Sequence, residues 1–190
     1  SKSDRIIILY GTDKDTEKNA VKKNIVEFCE EILYWAKSDH ISSNISIGIG
    51  RNYDRSEELW RSYREANRAC ENYNQFKEKI PIHYDDLGLL RVLSHEEIQP
   101  ELMKLYDEVL GSLVEYDKEK GSELIETLKN YFIYGGNLKK VSENMYIHYN
   151  TIIYRISRIE EITGLDLDNY ENRLNMQISL KVYDMLKMNK

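Results

Sequence analysis

The sequence predicts an α/β half followed by an all-helical half. Short β-branched apolar runs at Ile6–Tyr10, Ile45–Ile49 and Ile82–Tyr84 are separated by stretches with helical period. Beyond Pro100 each stretch carries an apolar stripe at three- and four-residue spacing. Near the end, Gly135-Gly136-Asn137 and Gly164 bracket two helices joined by a tight corner.

Ile6-Ile7-Ile8-Leu9-Tyr10 is wholly apolar and reads as a buried central strand. Gly11 and Thr12 make its exit. Asp13 to Ala36 show helical period through Val21, Ile25, Cys29, Ile32 and Ala36, and Ser38 to Asn44 is a polar loop. Ile45, Ile47 and Ile49 alternate with Ser46, Gly48 and Gly50 in a second strand, whose glycines permit close backbone approach or a bend. Ser56-Glu57-Glu58 opens the next helix, with acids at its positive end. Its expected buried stripe is Leu59, Tyr63, Ala66, Cys70 and Tyr73, and Ala66 and Ala69 suit close packing on a sheet. A brief strand, Ile82-His83-Tyr84, follows Pro81.

The domain boundary is expected between His95 and Gln99, dividing the chain into 1–97 and 98–190. Pro100 suits the first turn of a helix buried through Leu102, Leu105, Tyr106, Val109 and Leu113. Tyr116 to Gly121 reads as a charged break. Ser122 to Phe132 is another helix, buried through Leu124 or Ile125, Leu128, and Tyr131 or Phe132. The helix pair occupies about 137–163, and Asp166 to Asn169 is a loop. The last helix, about Glu171 to Met188, is expected to bury Leu174, Ile178, Val182 and Met185. Most of the fifteen tyrosines fall at buried-stripe positions.

No apolar run approaches membrane-spanning length and no secretory segment opens the chain, so a cytoplasmic protein is expected. The sequence begins Ser1-Lys2-Ser3 and reads as an excised fragment, with a sensor or anchor expected upstream. Cys29 and Cys70 read as small buried hydrophobes rather than a disulfide. Four scattered histidines lack metal-ligand spacing, and neither metal nor cofactor is expected. The net charge of −6 argues against a general nucleic-acid coat, but a specific reader depends on local charge.

That local charge directs attention to the helix pair. Asn137 is the expected N-cap of a short helix carrying Leu138 and Val141, and Asn144 to Ile147 form the corner. The second helix starts near His148 or Tyr149 and runs to about Thr163. Ile152, Ile156, Ile159 and Thr163 fall on one side, which must be buried. Asn150, Tyr154, Ser157 and Arg158 fall opposite, with Thr151 and Arg155 on the flanks. Planar hydrogen-bonding groups near a helix N-terminus suit a helix-turn-helix reader, in which asparagine pairs with adenine and arginine with guanine or phosphate. The alternative is an ordinary helical hairpin with a solvated face. From Leu138 to Thr163 the cations Lys139, Lys140, Arg155 and Arg158 only slightly outnumber Glu143, Glu160 and Glu161. Monomeric binding is therefore expected to be weak, and a homodimer or higher homo-oligomer would double the phosphate contacts.

The run Ile147-His148-Tyr149-Asn150-Thr151-Ile152-Ile153-Tyr154-Arg155-Ile156, with Arg158-Ile159-Glu160-Glu161 and Gly164, resembles the recognition helix of PucR/CdaR-type bacterial transcriptional regulators. That family carries a His-Arg-Asn-Thr-Leu-x-Tyr-Arg-Leu pattern, and Tyr149 stands where it usually has arginine. Leu128, Tyr131, Phe132 and Gly136-Asn137 are similar to the family's lead-in. Ser46-Ile47-Gly48-Ile49-Gly50 and Ser62-Tyr63-Arg64-Glu65-Ala66 resemble its degenerate GGDEF-like, nucleotide-cyclase-like domain. Asp85 to Leu90 and Leu93 look like the hinge between the two domains.

The resemblance implies a C-terminal fragment of a sequence-specific regulator of double-stranded DNA. A small-molecule effector would act through an upstream domain, and the GGDEF-like domain would transmit the signal without catalysis. Lys139, Lys140 and Arg158 would position the helix on phosphates, while His148, Tyr149, Asn150 and Thr151 face base edges or adjoining phosphates. Tyr154 could stack on a sugar, touch a thymine methyl or brace the helix, and Arg155 could contact DNA or brace the fold. Two other readings are a nucleotide-binding or cyclase-like module and a dimerisation or interaction module without DNA binding. The carboxylate pair needed for two-metal phosphoryl chemistry is absent from Ser1-Lys2-Ser3-Asp4-Arg5, where the cyclase turn would lie.

Overall fold

The computed structural model describes residues 5–13, 16–38, 45–71 and 81–188. The chain divides into two compact units, one ending at Ser94 and the other beginning at His95.

In the first unit, α1 (Lys18–Ser38) buries Val21, Cys29 and Leu33. Of the stripe expected from periodicity, Ile25, Ile32 and Ala36 are only half-buried. Strand β1 (Gly48–Ile49) pairs in parallel with β2 (Ile82–His83), Gly48 opposite Ile82 and Ile49 opposite His83. Between them in sequence runs α2 (Leu59–Glu71), entered through a 3-10 turn at Ser56–Glu58. The glycines of the β1 segment let the helix backbone lie directly on it. A Cβ on Gly48 would sit 2.0 Å from the Ala66 carbonyl oxygen, and one on Gly50 would sit 2.0 Å from that of Ser62.

This close approach corrects the expected stripe. Leu59 and Tyr63 are exposed, whereas Glu65 and Ala69 are buried. Glu65 tolerates burial because it accepts from the Arg51 backbone N–H at 2.9 Å and the Tyr53 hydroxyl at 2.8 Å. Tyr73 lies outside the described residues, as does most of the Ser38–Asn44 loop. The expected central strand at Ile6–Tyr10 is also corrected. This segment has no regular structure and all five residues are exposed. An apolar run becomes a central strand only where neighbours hydrogen-bond both its edges, and among the described residues nothing pairs with it. The α/β character of this half thus rests on a two-stranded sheet.

After β2 the chain turns through Tyr84–Leu87 into α3 (Leu90–Leu93). His83 is buried, and its Nδ1 accepts the Asp85 N–H at 3.1 Å. Burial, with Lys22 nearby, pulls the His83 imidazole below its ordinary value. Burial pushes the Asp85 carboxyl up, but the Arg51 hydrogen bond and charge, with His83 and Arg91, outweigh this and hold it below the usual range. Cys29 and Cys70 are free thiols, buried and half-buried respectively.

The second unit is all-helical. Helix α4 (Gln99–Tyr106) passes through a π turn at Asp107–Gly111 into α5 (Ser112–Lys120). The extra residue of the π turn lets adjacent Val109 and Leu110 both face the core. Tyr116 to Lys120, expected as a break, remain helical, and the stop comes at Gly121 in the left-handed conformation (φ 61°). Asp117 then caps α6 (Leu124–Ile133), accepting from the Leu124 and Ile125 N–H groups at 2.8 Å each.

Helices α7 (Leu138–Met145), α8 (Tyr149–Thr163) and α9 (Tyr170–Met188) complete the unit. One core joins Leu110, Leu113, Leu124, Leu128, Val141, Ile152, Ile159, Met176 and Leu180. In α9 the buried residues are Met176, Ser179, Leu180 and Val182, whereas Leu174 is exposed and Ile178 and Met185 are half-buried. Lys129 of α6 ion-pairs with Asp184 of α9 and so fixes part of this register. The tyrosine expectation is met in part, since Tyr106, Tyr116, Tyr134 and Tyr183 pack half-buried against the helical core. Among the described residues only Tyr84 and Tyr131 are buried, because a phenol is amphipathic and keeps its hydroxyl wet.

Candidate nucleic-acid interface

The helix pair forms as its local sequence dictates. Gly135 and Gly136 take positive φ of 61° and 84°, which closes α6, and the Gly136 N–H returns to the Tyr131 carbonyl at 2.8 Å. Asn137 caps α7, its Oδ1 accepting the Lys140 N–H at 3.1 Å. The corner is narrower than the sequence suggests. Asn144 is still helical and donates to Asn130 Oδ1 at 2.8 Å, and Tyr146 alone takes the left-handed conformation (φ 55°) that reverses the chain. His148 caps α8 by accepting the Asn150 N–H on Nδ1, and Gly164 (φ 68°) ends it.

The two faces of α8 separate as its spacing requires. Ile152 and Ile159 are fully buried and Ile156 nearly so. His148, Tyr149, Asn150, Thr151, Tyr154 and Ser157 are exposed. The outward face thus offers an imidazole, two phenols, a carboxamide and a hydroxyl within the first two turns. The positive end of the helix dipole points the same way. Lys139 and Lys140 are exposed at the start of α7.

The arginines are engaged differently. Arg155 turns back to α6, donating to Thr127 Oγ1 at 3.1 Å and to the Glu123 carboxylate at 3.2 Å. Arg158 pairs with Glu161 at 2.5 Å and lies 5.0 Å over the Tyr116 ring of α5. The Glu161 hydrogen bond, with help from Tyr116, raises its guanidinium pKa further. Of the four cations in the helix pair, the two lysines are therefore the ones without a protein partner among the described residues.

Two outward residues were not singled out from sequence. Tyr146, at the corner, is 95 % exposed, and Ile153 on α8 is also exposed. Tyr146 could have been found as the residue forced to reverse the chain where no glycine stands, while nothing in its spacing marks Ile153.

Residues 124–182 match the model of the PucR C-terminal helix-turn-helix domain, and residues 1–71 match that of the GGDEF-like domain. The chain belongs to the PucR family. It is similar to the proline-responsive transcriptional activator PutR of Bacillus subtilis (strain 168), at 31 % identity over 87 % of this chain and 41 % of that protein. The DNA-binding transcriptional activator AdeR of the same organism is 25 % identical over 96 % of the chain and 43 % of that protein. The carbohydrate diacid regulator of Escherichia coli (strain K12) is 39 % identical over a shorter stretch, 31 % of the chain and 15 % of that protein. The chain spans less than half the length of these PucR-type relatives. In the described residues no helix is long and apolar enough to cross a membrane, and no group of three His, Cys, Asp or Glu side chains is disposed to hold a metal.

Proposed function

We propose that the helical unit binds double-stranded DNA and reads sequence through the first two turns of α8, as the C-terminal part of a transcriptional regulator. The observation that carries this reading is the division of α8. Ile152, Ile156 and Ile159 are locked in the core while Asn150, Thr151, Tyr149 and His148 stand exposed at its N-terminus. A major groove admits a helix presented in this way, and a carboxamide at that position can make the paired hydrogen bonds that select adenine. Lys139 and Lys140 neutralise phosphate, and Tyr154 contributes stacking or a methyl contact. Two lysines give few phosphate contacts, so binding depends on a homodimer presenting two helices about one helical turn of DNA apart.

In this reading the GGDEF-like unit relays a signal without catalysis, and a small-molecule effector is sensed by a region outside this chain. The names of PutR and AdeR, a proline-responsive and a DNA-binding activator, support the assignment.

The test is a mobility shift with duplexes selected by the chain from a random-sequence pool. Salt-sensitive binding with a preferred sequence is expected. Lys139→Ala should weaken every duplex alike and reduce the dependence of log K on log salt by about 0.9 per bound protomer. Equal affinity for the selected and unselected duplexes would overturn the base-reading role.

A further inference from the structure

From the contacts of Arg155 we infer that it is a positioning residue: it clamps the recognition helix to the first turn of α6 and is not spent on DNA. The assignment rests on the DNA-binding reading above. Sequence alone left Arg155 between contacting DNA and bracing the fold, and its contacts speak for the second. One guanidinium nitrogen donates to Thr127 Oγ1 at 3.1 Å and the other to Glu123 Oε2 at 3.2 Å. Thr127 is fully buried, and its hydroxyl hydrogen is already donated to the Glu123 carbonyl at 2.9 Å. The hydroxyl oxygen is thereby oriented to accept from Arg155. The arginine side chain is only 17 % exposed.

The receiving turn is itself held by unusual means. Glu123 is one of two non-glycine residues at positive φ among the described residues (φ 56°). This conformation disfavours an L side chain. Asp117 fixes the next turn through the N–H groups of Leu124 and Ile125 and the Ser122 hydroxyl. The strained residue thus supplies two groups to the clamp, its carboxylate to Arg155 and its carbonyl to Thr127. Arg155 lies on α8 one to two turns beyond Asn150, Thr151 and His148. Fixing its guanidinium fixes the rotation and depth of the turn expected to meet base edges, where a misplacement of about 1 Å breaks paired hydrogen bonds.

The experiment measures binding of the 190-residue chain to two probes, a duplex it selects from a random pool and one unselected random-sequence duplex, across a salt series. The variants are Arg155→Gln, Arg155→Lys, Glu123→Gln and the Arg155→Gln/Glu123→Gln pair. A clamp predicts that each single variant lowers affinity for the selected duplex by about tenfold, that the double variant is no worse, and that the salt slope is unchanged. Lysine cannot form the two-pronged contact, so it should not rescue. A phosphate contact predicts the reverse. Arg155→Gln would then weaken both duplexes and lower the slope by about 0.9 per bound protomer, Arg155→Lys would rescue, and Glu123→Gln would leave binding unchanged or tighten it. That pattern would overturn the assignment. If Arg155→Gln fails to fold, Glu123→Gln carries the test, because the Glu123 side chain is 65 % exposed. Failure of the unaltered chain to bind any duplex would overturn the regulator reading and this assignment together, and it would appear before any variant is made.

Discussion

Ile152 and Asn150 are two residues apart on α8 and face opposite ways, so truncating each should have opposite consequences. Ile152 is fully buried among Leu128, Val141, Ile156 and their neighbours. Ile152→Ala removes three carbons from a closed core and should cost about 2–5 kcal/mol. For a unit of this size each kcal/mol moves the melting temperature by about 4–8 °C, so a fall of about 8–40 °C is expected. DNA binding by the fraction still folded should keep its preference. Asn150 is exposed, and the contact in this turn that supports the helix, its own N–H to His148 Nδ1, is a backbone donation that survives truncation. Asn150→Ala should therefore shift stability by no more than about 0.5 kcal/mol. It should lower discrimination between selected and unselected duplexes by about 1–3 kcal/mol, roughly 5- to 150-fold. The assays are thermal unfolding followed by helix dichroism and competitive duplex binding. Asn150→Ala that unfolds the domain as Ile152→Ala does, or that weakens both duplexes equally, would refute the assignment of the two faces.

Gly48→Ala should strip α2 from β1, since the new Cβ meets backbone oxygen at 2.0 Å and backbone cannot yield as a side chain can; loss of cooperative unfolding in the first unit, read by the fluorescence of Trp35 and Trp60, is expected. The same signal should report a pH dependence from His83. Its folded pKa lies below the ordinary value of about 6.5, so the unfolded chain takes up the proton first and the unit loses stability as pH falls from about 6.5 toward the lowered folded value, with no loss above it. Denaturant midpoints between pH 7.5 and 5 should show this slope, and His83→Gln should flatten it. Asp117→Ala removes a carboxylate that satisfies two amides of α6 and should lower the stability of the helical unit by about 1–2 kcal/mol in denaturant titration.

Elements whose ends are set by local chemistry were the ones legible in the sequence. Gly135-Gly136-Asn137 and Gly164 bound the helix pair because a left-handed stop and a side-chain cap act within a few residues, and three isoleucines at helical spacing announced the inner face of α8. The strand at Ile6–Tyr10 was misread because an apolar run states a preference for burial and says nothing of what is available to cover it. Helix α2 turned a different side inward because backbone contact with Gly48 and Gly50 outweighed the apolar stripe. A buried glutamate became tolerable through Arg51 and Tyr53, residues far from it along the chain. In α9, Met176 and Leu180 replace Leu174 in the core for a comparable reason: Asp184 is held by Lys129, a residue 55 positions earlier. The arginines of the candidate interface show the same limit. Arg155 finds Thr127 and Glu123, 28 and 32 residues away, and Arg158 finds the Tyr116 ring on α5, partners no helical period reveals.

The measurement that bears most directly on the account is selection of duplexes from a random pool by the intact chain, followed by the salt dependence of binding to the recovered sequence. A reader built on α8 should return one enriched motif, repeated in two half-sites about one helical turn apart, and its advantage over random duplex should fall about 5- to 150-fold in Asn150→Ala. Recovery of no motif, or of a motif that Asn150→Ala binds as well as the unaltered protein does, would contradict it.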